Sequence, residues 1–311
     1  MFWKNWFEPK AFKEAYLPVK DGHRVFYREF GNKKGKPVLF FHGGPGGGSR
    51  ARHAKTFDLR KFHVIMFDQR GCGLSLPEGQ WNHNTTADLI ADAKRILDVC
   101  GVKEKVIIRG ASWGSTLALK FAETYPDKVA ALLLSQIFLA NAQDKEWEEE
   151  GVTNFYPDIW AQICENVPQN ESVPAYYAGL ICSGEREKQA KALSFYGAYE
   201  RMLGSLAPRI VEKEAEEKAV ASARIYMSYA AKRFYLKEDE IMKNIKKIAD
   251  IPTLIVHNRL DFVCPLKGAY RLHQAMNNSK LVIVPEKGHT GLLLHETIRV
   301  EIRAFLQGLE L

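Results

Sequence analysis

The sequence predicts an α/β protein: a mostly parallel sheet with helices on both faces, interrupted once by an all-helical block. Two features carry that expectation. From about residue 23 to 139, and again from 249 to 311, short apolar runs that read as strands alternate with segments whose apolar residues recur at helical spacing. Between these stretches, residues 140–248 contain no convincing strand; Pro157, Pro168, Pro174 and Pro208 punctuate them, and aromatic residues are frequent. A helical block inserted into such a sheet has the layout of a lid over a site. Residues 1–139 and 249–311 are therefore expected to form a core domain, and 140–248 its helical lid.

Taken in order, the chain opens loosely patterned. HRVFYREFG (23–31) then alternates apolar and polar residues like an early antiparallel strand. PVLFFHG (37–43) is a short apolar run ending in glycine, and FHVIMFDQRG (62–71) another that ends at Asp68. TADLIADAKRILDV (86–99) is spaced as a helix, with Gly101 as its stop. KVIIRG is a strand, 115–124 a helix and VAALLLSQIF (129–138) the next strand. After Asp250 the rhythm resumes: PTLIVHN is a strand, 266–276 a helix, KLVIVPE a strand and 293–307 a closing helix. Continuous apolar strands between helices belong to a sheet buried on both faces.

Composition excludes several classes. With 311 residues, 46% hydrophobic and 26% charged, the chain has ample material for a large globular core. The net charge of +7 is scattered, Lys232-Arg233 and Lys246-Lys247 being only pairs, and no groove-binding motif accompanies it, so no nucleic-acid partner is expected. Five cysteines (Cys72, Cys100, Cys164, Cys182, Cys264) form no C-x-x-C pair and are odd in number, which reads as reduced thiols rather than a disulfide framework or zinc site. The opening MFWKNWFEPK lacks the apolar stretch of a signal peptide, and no apolar run reaches the ~18 residues of a membrane span. A soluble cytoplasmic protein without a membrane partner is expected. Glu150, Glu185 and the acidic stretch 212–217 read as solvated helix faces.

The chemistry centres on VIIRGASWGSTLAL (106–119). A strand passes into a helix through Gly110-Ala111-Ser112-Trp113-Gly114, the pattern G-x-S-x-G, which sets a serine on a tight elbow as a nucleophile. A serine hydroxyl needs a base, and the base needs an orienting acid. In an open α/β sheet these groups gather beyond the carboxyl ends of the strands. Asp261, in HNRLDFVCP, and His289, in VPEKGHTG, lie in such places, and the order is Ser112, Asp261, His289. Asp250 precedes its strand, His257 ends inside one and His295 falls in the last helix, so none of these competes well. The glycine-rich FFHGGPGGG (40–48) supplies backbone N–H groups: that of Gly44, with that of Trp113 after the nucleophile, would form a two-donor oxyanion hole. His42 braces this loop rather than reacting. Neither a Walker G-K-[ST] nor a G-x-G-x-x-G before a helix is present, so no phosphate-bearing cofactor and no metal are implied.

Four blocks, HGGPGGG, FDQRGCGLS (67–75), NTTADLIAD (84–92) and GASWGSTLAL (110–119), together resemble the proline iminopeptidases, α/β-hydrolases that remove N-terminal proline from peptides. The likeness covers residues 18–140 and 250–290 and thins in the lid. It implies the α/β-hydrolase fold, the triad Ser112, Asp261 and His289, the hole of Gly44 and Trp113, no cofactor, and a peptide with a free N-terminus as substrate. Asp68-Gln69-Arg70-Gly71 is read as a braced turn beside the site. In the lid, YGAYERM (196–202) resembles the family's W-x-x-W-E segment with tyrosine at both tryptophan positions, so Glu200 matches the glutamate that binds the substrate α-amine. EEEGVTNFYPDIW (148–160) resembles another lid segment, and Phe138 matches an aromatic wall of the proline pocket, with core packing its other reading.

The chain also departs from the family. Tyr226 stands in ARIYMSY where a second amine-binding glutamate is expected, Glu148 stands where an aromatic pocket residue would align, and Thr290-Gly291 follows His289. The sequence therefore points to a serine aminopeptidase acting on N-terminal proline through an acyl-enzyme. A broader esterase or amidase on the same triad, and an inactive binding protein, are its alternatives.

Overall fold

The computed structural model describes residues 8–207 and 217–309. Residues 1–7 of the opening stretch, Pro208 and acidic residues 212–216 lie outside them. The strands are β1 (Lys13–Pro18), β2 (Arg24–Gly31), β3 (Lys36–Phe41), β4 (Phe62–Phe67), β5 (Val106–Ala111), β6 (Val129–Ser135), β7 (Thr253–Leu260) and β8 (Ser279–Lys287). They form one sheet in the order β1-β2-β4-β3-β5-β6-β7-β8. β2 runs antiparallel to β1 and β4, and all other pairs are parallel.

Alternation along the central strands feeds two cores. Leu39 and Phe41 of β3 face one side, with Ile65, Ile108, Leu117 and Phe121. Val38 and Phe40 face the other, with Val64, Met66, Ile107 and Ile298. Both faces are covered, so every residue of β4 is buried, as a continuous apolar run requires. Helices α1 (Thr86–Val99) and α2 (Trp113–Thr124) pack on the first face. α1 begins in a capping box, Thr85 Oγ1 accepting from Asp88 N at 3.2 Å and Asp88 Oδ2 from Thr85 N at 2.9 Å, and it stops before Gly101 at φ +74°.

Beyond β6, the described part of 140–248 is helical: α3 (Ala142–Glu146), α4 (Pro157–Cys164), α5 (Val173–Cys182), α6 (Arg186–Ser205), α7 (Glu217–Ala231) and α8 (Glu240–Asn244). α4 to α7 enclose a third core of Ile159, Ile163, Tyr177, Ile181, Tyr196, Met202 and Met227. α7 is two-faced: Met227 enters that core while Ile225 and Tyr229 reach the sheet. Ile241, Ile245 and Ile248 also pack with the sheet, so the last stretch of the helical block is built into the main core. α9 (Leu266–Ala275) and α10 (Leu292–Gly308) complete the chain. No described helix is long and apolar enough to cross a membrane.

Four strands differ from the sequence expectation. β1 is an added edge strand in the loosely patterned opening; only Leu17 of its six residues is buried, so it has no apolar period to betray it. β6 stops at Ser135 rather than 138, because Gln136 turns the chain at φ +50°. β7 and β8 run longer than expected, to Leu260 and Lys287.

Candidate active site

Ser112 sits at the junction of β5 and α2 with φ +55° and ψ −132°, a conformation that costs a side chain about 1–3 kcal/mol. The flanking glycines are required by close approach. A Cβ on Gly110 would lie 2.2 Å from the Gly114 carbonyl, and one on Gly114 would lie 2.2 Å from the Phe41 carbonyl. The elbow is wedged between the end of β3 and the start of its own helix, which leaves Ser112 facing a cavity of about 1130 Å³.

His289, two residues past β8, faces the same cavity. Its Nδ1 donates to Asp261, 3.0 Å from Oδ1 and 2.8 Å from Oδ2. Asp261 directly follows β7, is 2% exposed, and its Oδ1 also accepts the main-chain N–H of Val263 and Cys264 at 3.0 and 2.9 Å. The longer strands bring both residues nearer their strand ends than the sequence suggested. Of the competitors, His257 and Asp250 hold other hydrogen-bond partners. His257 is fully buried, accepting from Ile137 N and donating to the Cys264 carbonyl, while burial holds its pKa below the usual value. Asp250 accepts from Asn277 Nδ2. His295 lines the cavity from α10, without a hydrogen bond to Asp261.

The glycine loop after β3 packs over the elbow, a Cβ on Gly43 falling 3.3 Å from Ser112 Cβ. Gly44 adopts φ +127°, open to glycine alone, and lines the cavity. Trp113 is the first residue of α2, so its N–H has no acceptor within its own helix. Its ring is fully buried, and Nε1 donates to Gln69 Oε1 at 2.9 Å. Gln69 in turn gives its Nε2 to the His42 carbonyl at 2.9 Å and its main-chain N–H to His42 Nε2 at 3.0 Å. His42 Nδ1 then donates to the Gly43 carbonyl at 2.7 Å, and burial lowers its pKa so that the ring stays neutral. Gln69 thus ties the glycine loop to the elbow, a role its place in the D-Q-R-G turn did not reveal. The rest of that turn is a brace: Arg70 Nε and Nη2 bond both Asp92 oxygens at 2.6 and 2.9 Å, and Asp68 caps Ser49 and Leu74.

The opposite wall comes from the helical block. Glu200, Glu148, Tyr196, Tyr199 and Tyr226 all line the cavity. Burial, then the charge of Glu148, push the Glu200 carboxyl up to about 8. Glu148 and burial together drive the Tyr226 phenol well above its ordinary value, so it is a neutral donor. Phe138 lines the cavity and also meets Phe234 edge-on, their ring centroids 4.9 Å apart. Ser222 of α7 closes the block onto the glycine loop, donating to the Gly46 carbonyl at 2.7 Å. Cys264, one of the free thiols, is buried beside Ser112, and burial pushes its thiol up. Glu150 and Glu185 are exposed.

Residues 36–296 match the family model described as the alpha/beta hydrolase fold. Solved structures with this architecture include an esterase from Exiguobacterium antarcticum, TM-score 0.65 at 19% identity over 95% of this chain and 100% of that one. A bromoperoxidase from Bacillus anthracis gives a TM-score of 0.60 at 20% identity, again over 95% and 100%. Those likenesses concern the fold. Over 290 residues the chain is 36% identical to a proline iminopeptidase of Xylella fastidiosa (strain Temecula1 / ATCC 700964), covering 91% of this chain and 92% of the relative. It is 36% identical over 287 residues to the proline iminopeptidase of Neisseria gonorrhoeae, covering 90% and 91%. The Arabidopsis thaliana enzyme of that name is also 36% identical, over 90% of this chain and 76% of its own. With an elbow serine, an Asp–His pair and half-buried carboxylates around one cavity, and with 36% identity to these enzymes over 90% or more of its length, the chain belongs to the proline iminopeptidase family of α/β-hydrolases.

Proposed function

We propose that this serine aminopeptidase releases N-terminal proline, or another small N-terminal residue, from peptides through an acyl-enzyme formed on Ser112. His289 holds its Nδ1 proton against Asp261, which leaves Nε2 free to take the Ser112 proton during attack and return it to the departing amine. Asp261 stabilises the imidazolium that forms. The N–H groups of Gly44 and Trp113 receive the oxyanion, and water then hydrolyses the ester. Residues 140–248 serve as the lid, and its carboxylates read the free N-terminus: an ionised Glu200 facing an ammonium makes a charge-assisted contact in a poorly solvated cavity. Phe138 supplies an apolar wall for the proline ring.

The observation that carries this reading is the joint placement of Ser112, His289 and Glu200 on one cavity. It supports the reading because a carboxylate able to pair with an ammonium shares its cavity with the serine and histidine of acyl transfer. One observation favours a second reading: Tyr226, a neutral phenol, stands among the lid residues, which suits a broader esterase or amidase. Hydrolysis of proline β-naphthylamide, its N-acetyl form and a p-nitrophenyl ester separates the two, with Ser112→Ala as blank. Cleavage confined to the free amine supports the aminopeptidase; cleavage of the ester alone would discard proline specificity and keep the triad.

A further inference from the structure

A chain of hydrogen bonds runs from Arg109 of β5 to the main chain of His289. Arg109 of β5 is 6% exposed and pairs with no carboxylate among the described residues. Its Nη1 donates to the Gly110 and Leu133 carbonyls, and its Nη2 donates to Ser135 Oγ at 2.8 Å. A guanidinium has donors and no acceptor, so it dictates the direction of everything beyond it. Ser135 must accept, and its proton goes to Gln136 Oε1 at 2.9 Å. The Gln136 amide is thereby oriented with Nε2 outward, 2.6 Å from the His289 carbonyl.

The other side of the same loop is also held. His289 N donates to the Gly204 carbonyl of α6 at 2.7 Å, and Asn258 Nδ2 donates to the Gly288 carbonyl at 2.8 Å. Asp261 sets the rotation of the imidazole, whereas these main-chain contacts set where the ring stands. The backbone of Gln136 adds a second argument. At φ +50° it occupies a left-handed conformation that glycine takes without strain, yet the position carries a long amide.

We propose that Gln136 is a positioning residue for His289, held in its working orientation by Ser135 and the buried Arg109. The proposal rests on His289 being the base. It makes the end of β6 part of the acyl-transfer apparatus, acting through the histidine and not by contact with the reacting atoms.

Gln136→Gly is the informative variant, because it keeps the turn comfortable while removing the amide. Its kcat on proline β-naphthylamide is expected to fall about 10- to 100-fold at unchanged KM, the scale of a catalytic group displaced by about an ångström. Labelling of Ser112 by a phosphonate, which also needs the base, should slow by the same factor while the thermal midpoint does not fall. Ser135→Ala should reproduce the kinetic loss in part. Wild-type kcat and labelling rate in Gln136→Gly would overturn the proposal, and so would a raised KM at unchanged kcat, which would mark Gln136 as pocket lining only. His289→Ala is run beside them. Its expected inactivity separates the two ideas, since an active His289→Ala would remove the base itself and with it any need to position one.

Discussion

Both carboxylate oxygens of Asp261 lie within 3.0 Å of Nδ1 of His289, and one of them, Oδ1, also receives two main-chain N–H groups. Those two donors come from Val263 and Cys264, so only an oxygen can occupy that corner. In Asp261→Asn the amide oxygen would stay there and the NH₂ would turn toward His289. The ring would then have to accept at Nδ1 and carry its proton on Nε2, facing Ser112. That tautomer cannot act as a base, and kcat should drop about 10⁴-fold, the loss seen when a triad aspartate is made asparagine. The measurement is steady-state hydrolysis with unfolding monitored alongside; a loss under tenfold would remove Asp261 from the mechanism.

The strain at Ser112 gives a prediction about stability. Ser112→Ala and Ser112→Gly should both be inactive, but only glycine relieves φ +55°, ψ −132°. Denaturant midpoints should place the glycine variant above the alanine variant by about 1–2 kcal/mol. Equal midpoints would mean that the elbow stores no strain.

How much of this was legible in the sequence follows from how local each signal is. The elbow, Asp261 and His289 could be read because each follows an apolar strand and carries its own chemistry. β1 could not, since a solvent-exposed edge strand buries one side chain and has no period to detect. Gln136 and Gln69 were invisible for another reason: their work is to hold His289 and His42, partners 153 and 27 residues away in the chain. The helical block gave its class from prolines and missing strands. That Ile241, Ile245 and Ile248 return to the sheet core depends on packing that no pattern within the block announces.

Arg70 and Asp92 test whether the D-Q-R-G turn is a brace. Their side chains are 4% and 1% exposed and joined by two hydrogen bonds, so removing one charge strands the other in a buried place. Asp92→Asn should cost about 3–5 kcal/mol of unfolding free energy. Asp88, 3.6 Å from Arg70, softens the loss toward the lower end. Below the unfolding transition kcat should stay within a few-fold of the parent, because neither residue lines the cavity. A stable but inactive variant would instead place the turn in the chemistry.

Glu148 and Glu200 make the proposed amine end of the cavity sensitive to pH. The Glu200 carboxyl stands at about 8, raised first by burial and then by the charge of Glu148. Below that pH it keeps its proton and offers an ammonium no charge; above it the carboxylate forms. kcat/KM for a free-amine substrate should therefore rise with pH through about 8. It should fall again as the substrate amine, ordinarily near ~7.7–8.0 for an α-amino group, loses its own proton. The result is a narrow bell, absent from the profile of a p-nitrophenyl ester. Glu148→Gln removes the second cause of the shift, so the acid limb for the amine substrate should move to lower pH while the ester profile stays in place. Acid limbs that move together, or not at all, would show that Glu148 has no part in reading the amine.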